Sequence, residues 1–202
     1  MGTPEFAVPS LNALFKNNYD VPLVITQPDR PKGRGRSMAQ SPVKKVALKF
    51  EYNVIQPESM NQKDLIETLS GCEPDLFVVI AYGHILPEKI LKIPQRGAIN
   101  IHASLLPKYR GPAPIHWSII NREKTTGVTS IFMDKGMDTG DILLTLQTDI
   151  KSDDTTETLH DRLADLGAEL LIKTITIVKQ DNIAYILSNK TIIYKLEESI
   201  VD

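Results

Sequence analysis

Asn100 and His102 stand two positions apart in the stretch Ala98-Ile99-Asn100-Ile101-His102, where apolar and polar residues alternate. Residues i and i+2 of a strand share a face. An amide and an imidazole therefore stand side by side at the end of this strand. An amide can donate a hydrogen bond to an oxygen that gains negative charge in a reaction. An imidazole can do the same or move protons near neutral pH. An acid held nearby would orient the ring. Three aspartates compete for that place: Asp134, Asp138 and Asp141 all fall in the turn-rich segment 134–141. Each reads equally well as a turn aspartate, so pattern alone does not choose among them. The strand itself reads equally well as an edge strand with one wet face.

Other chemistries find less support. His84, His102, His116 and His160 are widely spaced, and neither an HExxH pattern nor a Cys-His pairing is present, so no metal site is expected. Gly33-Arg34-Gly35 lacks the third glycine and the strand–helix context of a dinucleotide fingerprint. Cys72 is the single cysteine, which excludes an intramolecular disulfide and fits a reducing compartment. Arg30, Lys32, Arg34 and Arg36 are followed by Lys44, Lys45 and Lys49, with no acid between Asp29 and Glu51. In a chain of net charge −2 that is a local basic patch. It reads either as a solvated loop or as a surface for a polyanion.

The elements that position these residues follow from the hydrophobic pattern. Of the 202 residues, 42% are hydrophobic and 24% charged, which suits a globular core and argues against disorder. No apolar run reaches the roughly 18 residues of a membrane span, and a cytoplasmic location is expected. Thr3 and Pro4 predict the cap and first turn of a helix whose apolar face is Phe6, Val8, Leu11, Leu14 and Phe15. Strands are predicted at 21–26, 53–56, 76–80, 98–102, 127–133 and 142–150. Helices are predicted at 41–50, capped by Ser41, and at 61–69, 85–91 and 114–121. A last helix runs from the capping-box spacing Asp154–Glu157 to about Lys179. Segment 27–40 reads as a loop. This β–α alternation predicts a mostly parallel sheet with helices on both faces. In such sheets ligands bind beyond the carboxyl ends of the strands, where Asn100 and His102 stand.

The segment NIHASLLPKYRG resembles the signature of the folate-dependent formyltransferases. Its longer form, IHASLLPKYRGPAPI, is most similar to the branch of that family that formylates methionyl-tRNA. The resemblance covers about residues 1–180 and implies a Rossmann-like α/β fold. It also implies that Asn100, His102 and Asp138 are catalytic, Asp138 lying in the family's GMDTGDI loop. By the same resemblance Ser104, Leu105, Leu106 and Pro107 meet the folate; Ser104 is read there as cofactor-binding rather than as a third catalytic hydroxyl. Ala81, Tyr82 and Gly83 form the loop that takes the pterin. Arg30, Lys32, Arg34 and Arg36 lie in the stretch QPDRPKGRGR that meets tRNA. The implied co-substrate is 10-formyltetrahydrofolate, the implied acceptor initiator methionyl-tRNA, and the expected state a monomer without membrane contact. In the family GTPEFAVPSL follows a short apolar strand; here it follows Met1, so that first strand is expected to be missing. Residues 1–181 are expected to form the catalytic domain and 182–202 a divergent tail, with the family's C-terminal barrel absent. A formyltransferase for a sugar nucleotide or other small amine is an alternative, in which the basic loop would be idle. A folate-binding protein without transfer activity is another.

Overall fold

The computed structural model describes residues 1–32, 37–180 and 193–195. The largest sheet has five strands in the order β5 (Phe77–Val79), β6 (Ala98–His102), β7 (Thr125–Phe132), β8 (Ile142–Asp149) and β9 (Ile193–Lys195). β5 and β6 are parallel, as are β8 and β9, and β7 alone runs against its neighbours. β9 falls in the segment read as a divergent tail; three of its residues extend the sheet beside β8. A second pair, β1 (Val24–Ile25) and β4 (Val54–Ile55), is also parallel.

Met1 and Gly2 join the two sheets. The Gly2 N–H donates to the Ile25 carbonyl at 3.0 Å, the Ile80 N–H donates to the Met1 carbonyl at 2.9 Å, and the Met1 nitrogen donates to the Val78 carbonyl at 2.7 Å. Gly2 forms a parallel bridge with Ile80. Where the first strand is expected to be missing, residues 1–2 thus make a rung between β1 and β5. A Cβ at Gly2 would lie 2.9 Å from the Ala7 Cβ and 3.0 Å from the Ile80 carbonyl oxygen, so only glycine fits this rung. Beside it, towards the starts of β1 and β5, lies a cavity of about 460 Å³ lined by Leu11, Leu14, Leu23, Val78 and Val178 among others.

The helices cover both faces of the sheet. On one face α1 (Val8–Lys16), α2 (Pro42–Lys49) and α6 (Thr156–Lys179) pack with Ile99, Ile101, Val128 and Leu146. On the other, α3 (Lys63–Gly71) and α4 (Glu88–Leu91) pack with Ile25, Phe77, Val79 and Ala98. Leu159, Leu163, Leu170 and Leu171 of α6 are fully buried, each worth about 1.5–3 kcal/mol. The period-2 pattern of β6 thus holds. Ile99 and Ile101 face one layer, while Ala98, Asn100 and His102 share the opposite face.

Three local readings change. Thr3 caps no helix: its hydroxyl donates to the Tyr82 carbonyl at 3.0 Å, a short 3-10 turn spans Glu5–Ala7, and α1 starts at Val8. The cap of α6 is Thr155, which exchanges bonds with Thr158. Segment 27–40 is not simply a loop. β2 (Arg30–Lys32) pairs antiparallel with β3 (Ser37–Ala39) as a short ribbon. By contrast Ser41 caps α2, accepting from the Lys44 N–H at 3.1 Å, as its sequence predicts. No helix among the described residues is long and apolar enough to cross a membrane.

Candidate active site

β6 delivers Asn100 and His102 to the carboxyl end of the sheet, and the loop after β7 returns Asp138 to them. The Asp138 Oδ1 accepts from Asn100 Nδ2 at 3.3 Å. Its Oδ2 accepts from the Gly111 N–H at 2.9 Å and lies 3.4 Å from His102 Nδ1. The bond to Gly111 is of normal length and fixes the carboxylate. The two side-chain contacts are longer than an ideal hydrogen bond, so Asn100 and His102 both face Asp138 without being locked to it. Asp138 itself has φ of 53°, a left-handed conformation that aspartate tolerates better than most residues. The trio is largely shielded, with side-chain exposures of 8% for His102 and 15% for Asp138, which strengthens electrostatic contacts within it.

The neighbouring aspartates are otherwise engaged. Asp134 accepts from the Gly136 N–H at 2.9 Å and from the Thr139 hydroxyl at 2.7 Å. The Thr139 bond and then the Gly136 bond hold its carboxyl below the usual carboxylate range. Asp134 thus shapes the turn, and Asp141 is exposed at its far end.

The remaining candidates divide. Ala81 and Gly83 are exposed at the carboxyl end of β5, next to β6, with positive φ of 46° and 86°. Tyr82 turns its ring into the core, where the hydroxyl contacts the Met60 sulfur at 3.2 Å and burial pushes its pKa up to about 12. Its carbonyl accepts from Thr3 and from Gln27. Ser104 is fully buried and donates to the Lys108 carbonyl at 2.6 Å. That hydroxyl is engaged within its own loop. Leu106 is buried too, whereas Leu105 is half-buried and Pro107 exposed. A ligand would therefore meet this stretch at Leu105, Pro107 and the backbone.

Sequence reasoning missed Thr129. It pairs with His102 across β6 and β7 and is fully buried. Its hydroxyl donates to the Ser104 carbonyl at 2.6 Å and accepts from the Leu106 N–H at 3.1 Å. It pins the 104–107 turn to the sheet. A threonine in a strand carries no such signal, because its partners are some 25 residues upstream. Thr129→Val keeps the shape but leaves both groups unpaired. Thermal or urea unfolding should show a loss of about 1–3 kcal/mol.

The basic ribbon is moored at its base. Lys44 Nζ lies 2.7 Å from Asp29 Oδ2, and Gln56 Nε2 donates to Asp29 Oδ1 at 2.7 Å and to the Gln27 carbonyl at 2.8 Å. Arg30 is exposed; Arg34, Arg36 and the side chain of Lys32 lie outside the described residues. The hydrogen bond from Lys44, then that from Gln56, holds the Asp29 carboxyl below its usual value. Because the folded value is depressed, this mooring contributes fully above the ordinary aspartate range. It is lost as pH falls through the folded value. An NMR titration of the Asp29 carboxyl should place its midpoint below that of an unfolded-chain aspartate.

Among the described residues no group of three or more His, Cys, Asp or Glu could hold a metal ion. The cavity beside Met1 is lined by none of Asn100, His102 and Asp138, and the geometry of the trio is the better guide to chemistry.

Comparison with known proteins accords with this arrangement. Residues 1–175 match the family model described as formyl transferase. The chain is 56% identical over 181 residues to the methionyl-tRNA formyltransferase of Caldanaerobacter subterraneus subsp. tengcongensis, covering 89% of this chain and 59% of that protein. It is 53% identical over 175 residues to that of Acetivibrio thermocellus, covering 87% and 56%. It therefore spans rather more than half the length of these relatives. Among solved structures, the phosphoribosylglycinamide formyltransferase of Anaplasma phagocytophilum superposes with a TM-score of 0.76 at 20% identity, covering 97% of this chain and 95% of that one. At that identity the likeness speaks to the fold alone. The fold, the convergence of Asn100, His102 and Asp138, and the family match together show that the chain belongs to the formyl transferase family.

Proposed function

We propose that the chain carries the formyl-transferring site of a methionyl-tRNA formyltransferase, moving a formyl group from 10-formyltetrahydrofolate to the amino group of initiator methionyl-tRNA. The observation that carries this reading is the meeting of Asn100, His102 and Asp138 in a chain about half identical to proteins of that name. The formyl donor supplies an activated one-carbon acyl group. The loop ends beyond β5 and β6 leave backbone open to such a ligand, because Ala81, Gly83 and Pro107 are exposed there. The acceptor amine is the nucleophile, so no serine or cysteine is required.

The residues divide the work by geometry. Asn100 has a second amide hydrogen beyond the one aimed at Asp138, free to donate to the acyl oxygen as charge grows on it. The Nε2 of His102 is already engaged, 2.8 Å from the Tyr109 carbonyl. Only Nδ1 is left to handle a proton, and it stands beside Asp138. The carboxylate, anchored by Gly111, accepts the proton that the attacking amine releases, directly or through His102; as the formyl carbon–N10 bond breaks, that proton is returned to N10 and tetrahydrofolate leaves.

The basic ribbon and the segment that follows β2 are the proposed tRNA contacts. A substrate comparison tests the whole reading: formyl transfer should be measured with methionyl-tRNA and with an amino-sugar nucleotide. Transfer confined to the sugar would replace this acceptor. Arg34→Ala should raise the KM for methionyl-tRNA and leave folate binding unchanged. The affinity for tRNA should fall steeply with salt, since phosphate contacts release counterions. An affinity independent of salt would remove the basic segment from the interface.

A further inference from the structure

The machinery described so far leaves one cluster unused. Tyr109, Asn121 and Glu123 form a clasp on the outer side of the loop that follows β6. The Tyr109 hydroxyl donates to Glu123 Oε1 at 2.6 Å and accepts from Asn121 Nδ2 at 2.9 Å. Lys108 Nζ lies 3.1 and 3.2 Å from the two oxygens of Glu123. Glu123 is itself fixed by its own N–H, which donates to the Ser118 carbonyl at 3.0 Å, in the turn between α5 (Pro114–Ile120) and β7. The bonds from Tyr109 and then Lys108 hold its carboxyl below the usual range, so it stays an acceptor at neutral pH.

The other end of Tyr109 touches the site. Its carbonyl is 2.8 Å from His102 Nε2. A carbonyl only accepts, so Nε2 must carry the hydrogen. In the neutral ring the lone pair is then on Nδ1, 3.4 Å from Asp138. Had the carbonyl been elsewhere, the opposite tautomer could place its hydrogen on Nδ1 and lock it to the carboxylate. The position of one backbone oxygen thus decides which nitrogen of His102 is free. That oxygen belongs to a residue with φ of 56°. A bulky residue holds this left-handed conformation only where its surroundings enforce it.

We infer that Tyr109 and Glu123 are positioning residues: the hydroxyl–carboxylate clasp holds the Tyr109 carbonyl against His102 and so fixes the tautomer of the ring. This rests on the formyl-transfer reading for its consequence in catalysis, but not for its geometry. Nδ1, facing Asp138, is thereby left as the ring nitrogen that can exchange a proton. The clasp touches no reacting atom and acts only through His102.

The test is ¹⁵N NMR of the full chain labelled at histidine, with the His102 signals assigned by their loss in His102→Gln. The unaltered chain should show the Nε2–H pattern. In Tyr109→Phe and Glu123→Ala the ring nitrogens should move toward the average of the two tautomers. The kcat for transfer should fall about 10- to 100-fold, in keeping with loss of an orienting partner, while the KM for the formyl donor holds. Glu123→Gln, which keeps an acceptor for the hydroxyl, should restore most of both. The double variant should lose no more than either single one, since both break the same bond. Unchanged ring signals in Glu123→Ala and Tyr109→Phe would overturn the proposal, with or without a fall in kcat. So would additive losses in the double variant. If the unaltered chain transfers no formyl group, the ring signals still decide the positioning role, and the two failures remain distinct.

Discussion

Asp138→Asn should slow formyl transfer to methionyl-tRNA by about 10²–10⁴-fold, the range for loss of a general acid–base group. Asparagine is the informative replacement because it tolerates the left-handed backbone at this position, where φ is 53°. Its amide oxygen can still accept from the Gly111 N–H, so the loop keeps its anchor. What disappears is the charge beside His102 and the ability to take a proton. His102→Ala should cost a similar amount, and the double variant little more than either, since the two act as a unit. Asp141→Asn is the internal control. It stands three residues on in the same loop but is exposed at the far end of the turn, and its rate should match that of the unaltered chain. Single-turnover rates with saturating formyl donor would check all four chains. A normal rate in Asp138→Asn would remove the carboxylate from the chemistry and with it the proposed path of the proton.

The second large effect concerns stability. Gly140→Ala should destabilise the protein by about 1–3 kcal/mol or more, the usual cost of forcing an extra methyl into a packed site. A Cβ at this position would overlap the carbonyl oxygen of Phe132. That oxygen is backbone at the end of β7, so no side chain can swing aside to make room. Phe132 also donates its N–H to the Asp141 carbonyl at 2.9 Å, which ties the two ends of the loop together. Relief of the overlap requires residues 133–141 to move, and Asp138 moves with them. Urea unfolding should show a lower midpoint, and transfer should be impaired even well below it. Gly71 offers the contrast: a Cβ there meets nothing within 4 Å. Alanine at Gly71, the last residue of α3, should be neutral or slightly stabilising. An unchanged midpoint in Gly140→Ala would show that the loop is looser than its contacts indicate.

Much of this was legible in the chain itself. The alternation of 98–102 placed Asn100 and His102 on one face, because a pleated strand has a period of two whatever surrounds it. The run Leu76–Ile80 and the leucine stripe from Leu159 to Leu170 marked a doubly covered strand and its covering helix, since burial leaves a periodic trace. The cap at Ser41 was visible because capping is local. The motif around GMDTGDI pointed to Asp138 among three aspartates, but only by resemblance. Its physical ground lies in tertiary contacts: the Gly111 N–H, 27 residues upstream, holds its carboxylate, while Thr139 and Gly136 occupy Asp134. Thr3 misled because a distant acceptor prevailed over a local cap. It bonds to Tyr82, 79 residues away, rather than capping α1. Thr129 and Tyr109 carried no signal, because what matters in them is which carbonyl they hold in place. Local periodicity and capping are properties of a stretch and survive in the sequence. The partner of a side chain is a property of two stretches, and only the packed sheet decides it.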